Sequence, residues 1–257
     1  MKQKTDEWFQ ARLGKVTASN LHKVLSKGRG TTQRNYLMQL VCETLTGRRE
    51  EIKTNQAIER GIALEPQARA RYCLNEFDVT VTEVGFIPHP SIALFGASPD
   101  GLVNDDGLIE IKCPNTTTHI ETIVTGKPKY EYLLQMHGQM MCTGRNWCDF
   151  VSYDDRLPPN LAYYKIRIIK DDNLINEIEQ AVQAFIEKLK SEINKINQKV
   201  EATWQTTTSV TLPDASALET RYTPEKSHTH FLSLSANQKK KNSGYENTWL
   251  LQFKKKQ

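Results

Sequence analysis

Apolar residues recur at three- and four-residue spacing over the first 75 positions, which predicts helices there. Thr5 is placed to cap a short helix carrying Trp8 and Leu13, and Thr17 or Ser19 to cap the next, with Leu21, Val24 and Leu25 turned inward. Between Arg34 and Thr46 the residues Tyr36, Leu37, Leu40, Val41 and Leu45 share one face, and Gly47 supplies the stop. A further helix is expected from about Asn55 to Leu74, interrupted at Glu65-Pro66, where proline disfavours helical geometry.

The period then changes. Short apolar or alternating runs at Val79–Val84, Leu94–Ala97 and Leu108–Lys112 read as strands, and Asn104-Asp105-Asp106-Gly107 as a hairpin turn. A helix over Tyr130–Met141 precedes strands near Trp147–Tyr153 and Ala162–Ile169. From Asp172 to about Val200 one amphipathic helix carries Leu174, Ile178, Val182, Phe185, Leu189, Ile193, Ile196 and Val200 on a single stripe. Helices followed by a mixed sheet with a helix inserted predict an α/β domain over residues 1–204. Residues 205–257, rich in Ser, Thr and Lys, read as a basic extension that is flexible or holds a small hairpin, with strands at His228–Ser235 and Thr248–Lys254.

Composition adds little to this. The last 53 residues hold eight Lys or Arg against four Asp or Glu, which accounts for the whole net charge of +4. The remainder carries 26 charges of each sign, so a DNA-binding surface there must be a local patch. The opening MKQKTDEWFQ lacks an apolar leader and no run is long enough to span a bilayer, so a cytoplasmic protein is expected. Five cysteines without a CxxC pair suggest neither disulfides, nor structural zinc, nor an iron–sulfur cluster.

The chemistry concentrates in Ser98-Pro99-Asp100-Gly101 and Ile109-Glu110-Ile111-Lys112. On a strand, Glu110 and Lys112 share one face while Ile109 and Ile111 turn to the other. The intervening turn brings Asp100 beside Glu110. Two such carboxylates repel unless a cation lies between them, and a hard divalent ion with oxygen ligands, Mg2+ above all, fits the pair. Lys112 at the rim can then orient water or stabilise the charge of a phosphoryl transition state. The bland alternative is an exposed salt bridge; the isoleucine alternation, the turn and Ser98-Pro99 favour the metal. His119 reads as structural, and His22, His89 and His137 lack ligand spacing.

These motifs resemble the PD-(D/E)XK nuclease signature in the variant of the YqaJ and lambda-exonuclease family of phage recombination nucleases. Glu7-Trp8, Arg12-Leu13-Gly14, Thr17-Ala18-Ser19, Gly61 with Leu64-Glu65, and Tyr132-Leu133-Leu134-Gln135 are similar to further motifs of that family, in the same order. The resemblance covers about Thr5 to Val200 and implies a restriction-endonuclease-like central mixed sheet flanked by helices. It implies that Asp100, Glu110 and the carbonyl of Ile111 ligate Mg2+, that Lys112 is the catalytic lysine, and that Glu65 assists a second ion, with Mn2+ able to substitute. Arg12, Ser19, Ser98 and Gln135 correspond to a pocket for a 5′-phosphate, Ile58 to an apolar wedge between end base pairs, and Arg29 to a residue reaching into the duplex groove.

The activity so implied is 5′→3′ exonuclease action on double-stranded DNA ends, releasing mononucleotides and leaving a 3′ overhang. A homotrimeric ring, a single-strand annealing partner, and a phage or prophage gene expressed in a bacterial cell go with it. The rivals are an endonuclease on the same fold and a DNA-end-binding module without chemistry.

Overall fold

In a computed structural model, residues 1–26, 31–49 and 55–208 are described, the side chains of 204–208 excepted. Arg29 and nearly all of the extension from Gln205, with its expected strands, lie outside them.

Helix α1 (Asp6–Arg12) is capped as expected, the Thr5 hydroxyl accepting from the Trp8 N–H. Strand β1 (Val16–Thr17) leads through a 3-10 turn (Ala18–Asn20) into α2 (Leu21–Val24). Neither Thr17 nor Ser19 caps α2; the Thr17 hydroxyl accepts from the Asn20 side chain instead. Helix α3 (Thr32–Thr46) ends at left-handed Gly47, and it buries Tyr36, Leu40 and Val41 but not Leu45.

Helix α4 (Gln56–Asn75), capped by the Asn55 side chain, runs through Pro66 without a break. Proline removes only the bond to the Ile62 carbonyl, and Ile62 is exposed, so water can satisfy that oxygen. Burial of Leu64, Ala68 and Tyr72 on both sides of the proline holds the helix in one piece.

Strands β2 (Val81–Thr82), β5 (Gly101–Val103), β6 (Gly107–Lys112), β7 (Trp147–Tyr153) and β8 (Tyr163–Ile169) form a sheet in the order β2-β5-β6-β7-β8. Only β6 and β7 are parallel; the other pairs are antiparallel, which makes the sheet mixed, as the sequence predicts. A second sheet, not foreseen, joins β1 to β4 (Phe95–Ala97) and β3 (Ile87–Pro88). Helices α5 (Thr116–Thr125) and α6 (Tyr130–Thr143) make the crossover from β6 to β7.

The alternation along β6 decides the layers. Ile109 and Ile111 pack with Ala68 and Tyr72 of α4, while Leu108 packs with Met136 and Met140 of α6 on the other face. Both faces are therefore buried, not only the isoleucine side. A larger apolar cluster joins α2, α3 and α6 to α7 (Asp172–Thr208), whose Ile178, Val182, Phe185 and Leu189 are fully covered. Val200, at the far end of the stripe, is half exposed. Residues Met1–Thr203 form one compact unit.

Candidate active site

The antiparallel register sets Gly101 opposite Ile109, which brings Asp100 level with Glu110. Asp100 Oδ2 accepts the Ile111 N–H at 2.7 Å. Burial, then the Glu110 carboxylate, pushes the Asp100 carboxyl well above its ordinary range, with Lys112 opposing. Glu110 is 1% exposed, and its charge is met from two sides. Lys112 Nζ lies 2.6 Å from Oε1, while Gln135 and Gln139 of α6 donate to Oε1 and Oε2 at 2.7 and 2.5 Å. Lys112 also donates to Gln135 Oε1 at 3.2 Å and lies over the Tyr132 ring. Burial works against its charge, but Glu110 and Asp100 outweigh it and hold the ammonium above its ordinary pKa.

This donor set fits a divalent ion. The half-buried Asp100 stands beside the buried Glu110, and the Asp100 carboxyl is raised first by burial and then by the Glu110 charge, a repulsion that a cation would relieve. Among the described residues no three acidic, histidine or cysteine side chains make a closed cage.

Glu65 and Ile111 line a cleft of about 1030 Å3 together with Lys112, Arg60, Arg156 and Ile58. Glu65 is not free there: Lys4 and Arg69 each lie 2.9 Å from one of its oxygens. Ile58, in the first turn of α4, is 43% exposed on the cleft wall, where the sequence alone would favour a core position.

The expected phosphate pocket is assembled in part. Ser98 Oγ accepts from Arg12 Nη1 at 3.2 Å and from Trp8 Nε1 at 2.9 Å, and the Arg12 guanidinium stacks on the Trp8 ring at 4.1 Å. Burial, opposed by Tyr36, brings Arg12 down to about 10, so it stays charged at neutral pH. Gln135 instead bridges Glu110 and Lys112. Ser19 is exposed and its hydroxyl lies 3.4 Å from that of Thr17; no contact ties it to Arg12 or Ser98. Ser98 and Asp100 flank Pro99, so one loop, braced by Gln3 on the Pro99 carbonyl, serves both clusters.

Sequence reasoning missed Gln139 and the polar edge of Trp8. Each stands four residues from a predicted partner on one helix, Gln139 from Gln135 and Trp8 from Arg12, and that spacing was the available signal.

A family model of the YqaJ-like viral recombinase domain matches residues 7–146. Two crystal structures of LHK-Exo, an alkaline exonuclease from Laribacter hongkongensis, are 58% identical, cover 77% of this chain and 100% of theirs, and superpose with TM-scores of 0.74 and 0.73. A phage-related exonuclease from Haemophilus somnus 129PT shares the fold at 18% identity and a TM-score of 0.56, over 71% of this chain and 96% of that one. No curated protein matches the chain. The matched family domain fills more than half of the 257 residues and includes Arg12, Ser98, Asp100, Glu110 and Lys112, so the chain belongs to the YqaJ-like viral recombinase family.

Proposed function

We propose that this nuclease degrades one strand of linear double-stranded DNA from its 5′ end, releasing mononucleotides and leaving 3′ overhangs for recombination by strand annealing. The observation that carries the reading is Asp100 set level with the buried Glu110, with Lys112 beside it and Ile111 and Lys112 on the wall of a cleft of about 1030 Å3.

Asp100, Glu110 and the Ile111 carbonyl would hold Mg2+ or Mn2+, with Glu65 available to a second ion once Lys4 or Arg69 yields. A bound ion would polarise the phosphoryl oxygen and lower the pKa of an attacking water. Lys112, fixed by Glu110 and Gln135, offers its ammonium to the charge that builds on the phosphoryl oxygens. Arg12, preset by Trp8 and Ser98, offers paired N–H donors to a terminal phosphate, with Ser19 and Gln135 completing the pocket when the end is seated. Ile58 would press against the end base pair, and Arg29 would reach the groove.

Relatives support the direction of this reading. LHK-Exo has been crystallised with dAMP, a deoxynucleoside monophosphate, as a mononucleotide product would be. A trimeric ring, an annealing partner and action in the bacterial cytoplasm belong to the same proposal; no helix among the described residues is long and apolar enough to cross a membrane.

Digestion of linear and circular duplexes, with and without EDTA, tests it. Linear DNA should be degraded and circular DNA spared, and EDTA should stop the reaction. Asp100→Ala or Glu110→Ala should abolish hydrolysis in a folded protein, and Lys112→Ala should slow it by roughly 100-fold or more. Cutting of circular duplex would replace the exonuclease reading with the endonuclease one. Activity in both carboxylate variants would remove the site.

A further inference from the structure

The cleft wall has a charge asymmetry of which the site chemistry uses only part. Lys4, Arg60, Lys112 and Arg156 line it against one carboxylate, Glu65. Counter-charges of three of these cations are buried: Glu110 beside Lys112, and Asp154, 0% exposed, beside both arginines.

Asp154, just beyond β7, accepts five hydrogen bonds. Arg60 Nη2 donates at 2.8 Å, Thr116 Oγ1 at 2.7 Å, and Arg156 through Nε, Nη2 and its backbone N–H at 2.7, 3.0 and 3.2 Å. Burial pushes the Asp154 carboxyl up, but the bonds from Arg156 and Thr116 outweigh it and hold the group ionised far below the ordinary range. Both arginines also donate to the Pro114 carbonyl on the cleft wall, at 3.3 and 3.2 Å, and Asp155 pairs with Arg60 from outside. Each guanidinium has five N–H groups in a rigid plane. These contacts leave the Arg60 Nε–H and the Arg156 Nη1 group without a partner among the described residues.

A buried anion with two arginines on one side orients them at an ordering cost already met in the free protein, which is the requirement for binding a further anion tightly. A cleft of about 1030 Å3 is at the upper limit for a small ligand and suits a strand better than a mononucleotide. We propose that Arg60 and Arg156 form a second phosphate-binding element, which grips a backbone phosphodiester of the DNA in the cleft, apart from the terminal-phosphate pocket, with Asp154 as its positioning residue. The inference rests on the proposed action on DNA ends and adds a contact to it.

Equilibrium binding of the full chain to a linear duplex in EDTA, followed across a salt titration, tests the element. Arg60→Gln and Arg156→Gln should each weaken binding about tenfold, as expected for one charge-assisted hydrogen bond. Each should also make the dependence of affinity on salt shallower by about one ion, and the double variant by about two. Asp154→Asn removes a negative charge near DNA, yet should weaken binding, because the guanidiniums lose their fixed pose.

Methylphosphonates placed singly along either strand should include one position at which the wild type loses the advantage it holds over Arg156→Gln, and its strand identifies the phosphate gripped. Arg156 is half exposed, so shortening it empties no core, and thermal denaturation of Arg156→Gln checks that the variant is folded. Unchanged affinity and salt slope in Arg156→Gln, or the absence of any sensitive phosphate, would overturn the element while leaving the functional reading intact. A wild-type chain that binds no linear duplex would overturn that reading itself.

Discussion

Gln139 donates to Glu110 at 2.5 Å from the buried face of α6, while its side-chain carbonyl oxygen is buried with no partner among the described residues. An orphaned buried carbonyl costs roughly 1–3 kcal/mol. Stability alone gives little reason to keep such a residue; fixing the proposed metal ligand Glu110 does. Gln139→Leu should leave the melting temperature within a few degrees of wild type. The Mg2+ concentration for half-maximal rate should rise, and the rate fall about 10- to 100-fold, as for other partners of metal ligands. Gln139→Glu should be worse, since it adds a third carboxylate beside Glu110 and Asp100. A magnesium titration of initial rates decides it, and a wild-type curve for the leucine variant would make Gln139 merely structural.

The Arg12, Trp8 and Ser98 triad carries the proposed preference for phosphorylated ends. Arg12→Ala should reduce the rate ratio between 5′-phosphate and 5′-hydroxyl duplexes toward one, and slow the hydroxyl substrate much less. Trp8→Phe keeps the stacked ring but removes the Nε1–H that holds Ser98, so it should lower the ratio only in part. If Arg12→Ala keeps the full ratio, the terminal phosphate is bound elsewhere.

Gly138 sits between the two glutamines that clamp Glu110. A Cβ there would lie 2.6 Å from Leu21 Cδ1 and 3.0 Å from Ala18 Cβ, so α6 approaches the 3-10 turn and α2 as closely as only glycine allows. Gly138→Ala gains about 1 kcal/mol of helix propensity. Overpacking a site walled by Ala18, Leu21 and Phe95 costs about 1–3 kcal/mol. The net change should be a loss of about 1 kcal/mol, or roughly 2–4 °C for a chain of this size. Activity below the transition should also fall, because α6 carries Gln135 and Gln139. Thermal denaturation and initial rates on one preparation test both parts, and a stabilised, fully active variant would refute the close packing.

How far the sequence reveals this arrangement depends on the range of the interactions. The alternation in β6 is local, and it placed Glu110 with Lys112 opposite the isoleucines correctly. Helix α5 is hard to read from sequence because Thr116–Thr125 is rich in Thr, Ile and Val, which favour strands; its helical signals are the Asn115 cap and the left-handed stop at Gly126. Pro66 was read as a break because its cost is local, whereas the burial of Ala68 and Tyr72 that outweighs it comes from β6 and β7. Within the site, the residue types were legible but the pairings were not. Gln135 on Glu110 and Arg60 on Asp154 join positions 25 and 94 residues apart.

The raised Asp100 pKa has a consequence for stability in the metal-free protein. An unfolded aspartate releases its proton near pH 3.9 (approximately). Folded Asp100 keeps its proton well above that, through burial and the Glu110 carboxylate. Over this window the native state binds more protons than the unfolded one, so stability must fall as pH rises. Lys112 does not reverse this, since the stability from its raised pKa is constant below the ordinary lysine range and is lost only above it. The lowered pKa values of His89 and His137 act in the opposite sense near neutrality, so the Asp100 contribution has to be isolated by substitution.

In EDTA, the melting temperature of the wild type should decline, relative to that of Asp100→Asn, as pH rises above the ordinary aspartate range. A divalent ion competes with the same proton, so the stabilisation by Mg2+ should grow over the same rise in pH and reach about 2.7 kcal/mol at 100 times the dissociation constant. Asp100→Asn should show little of it. Parallel pH profiles for the two proteins in EDTA, together with equal stabilisation of both by Mg2+, would show that Asp100 neither holds the extra proton nor binds the ion.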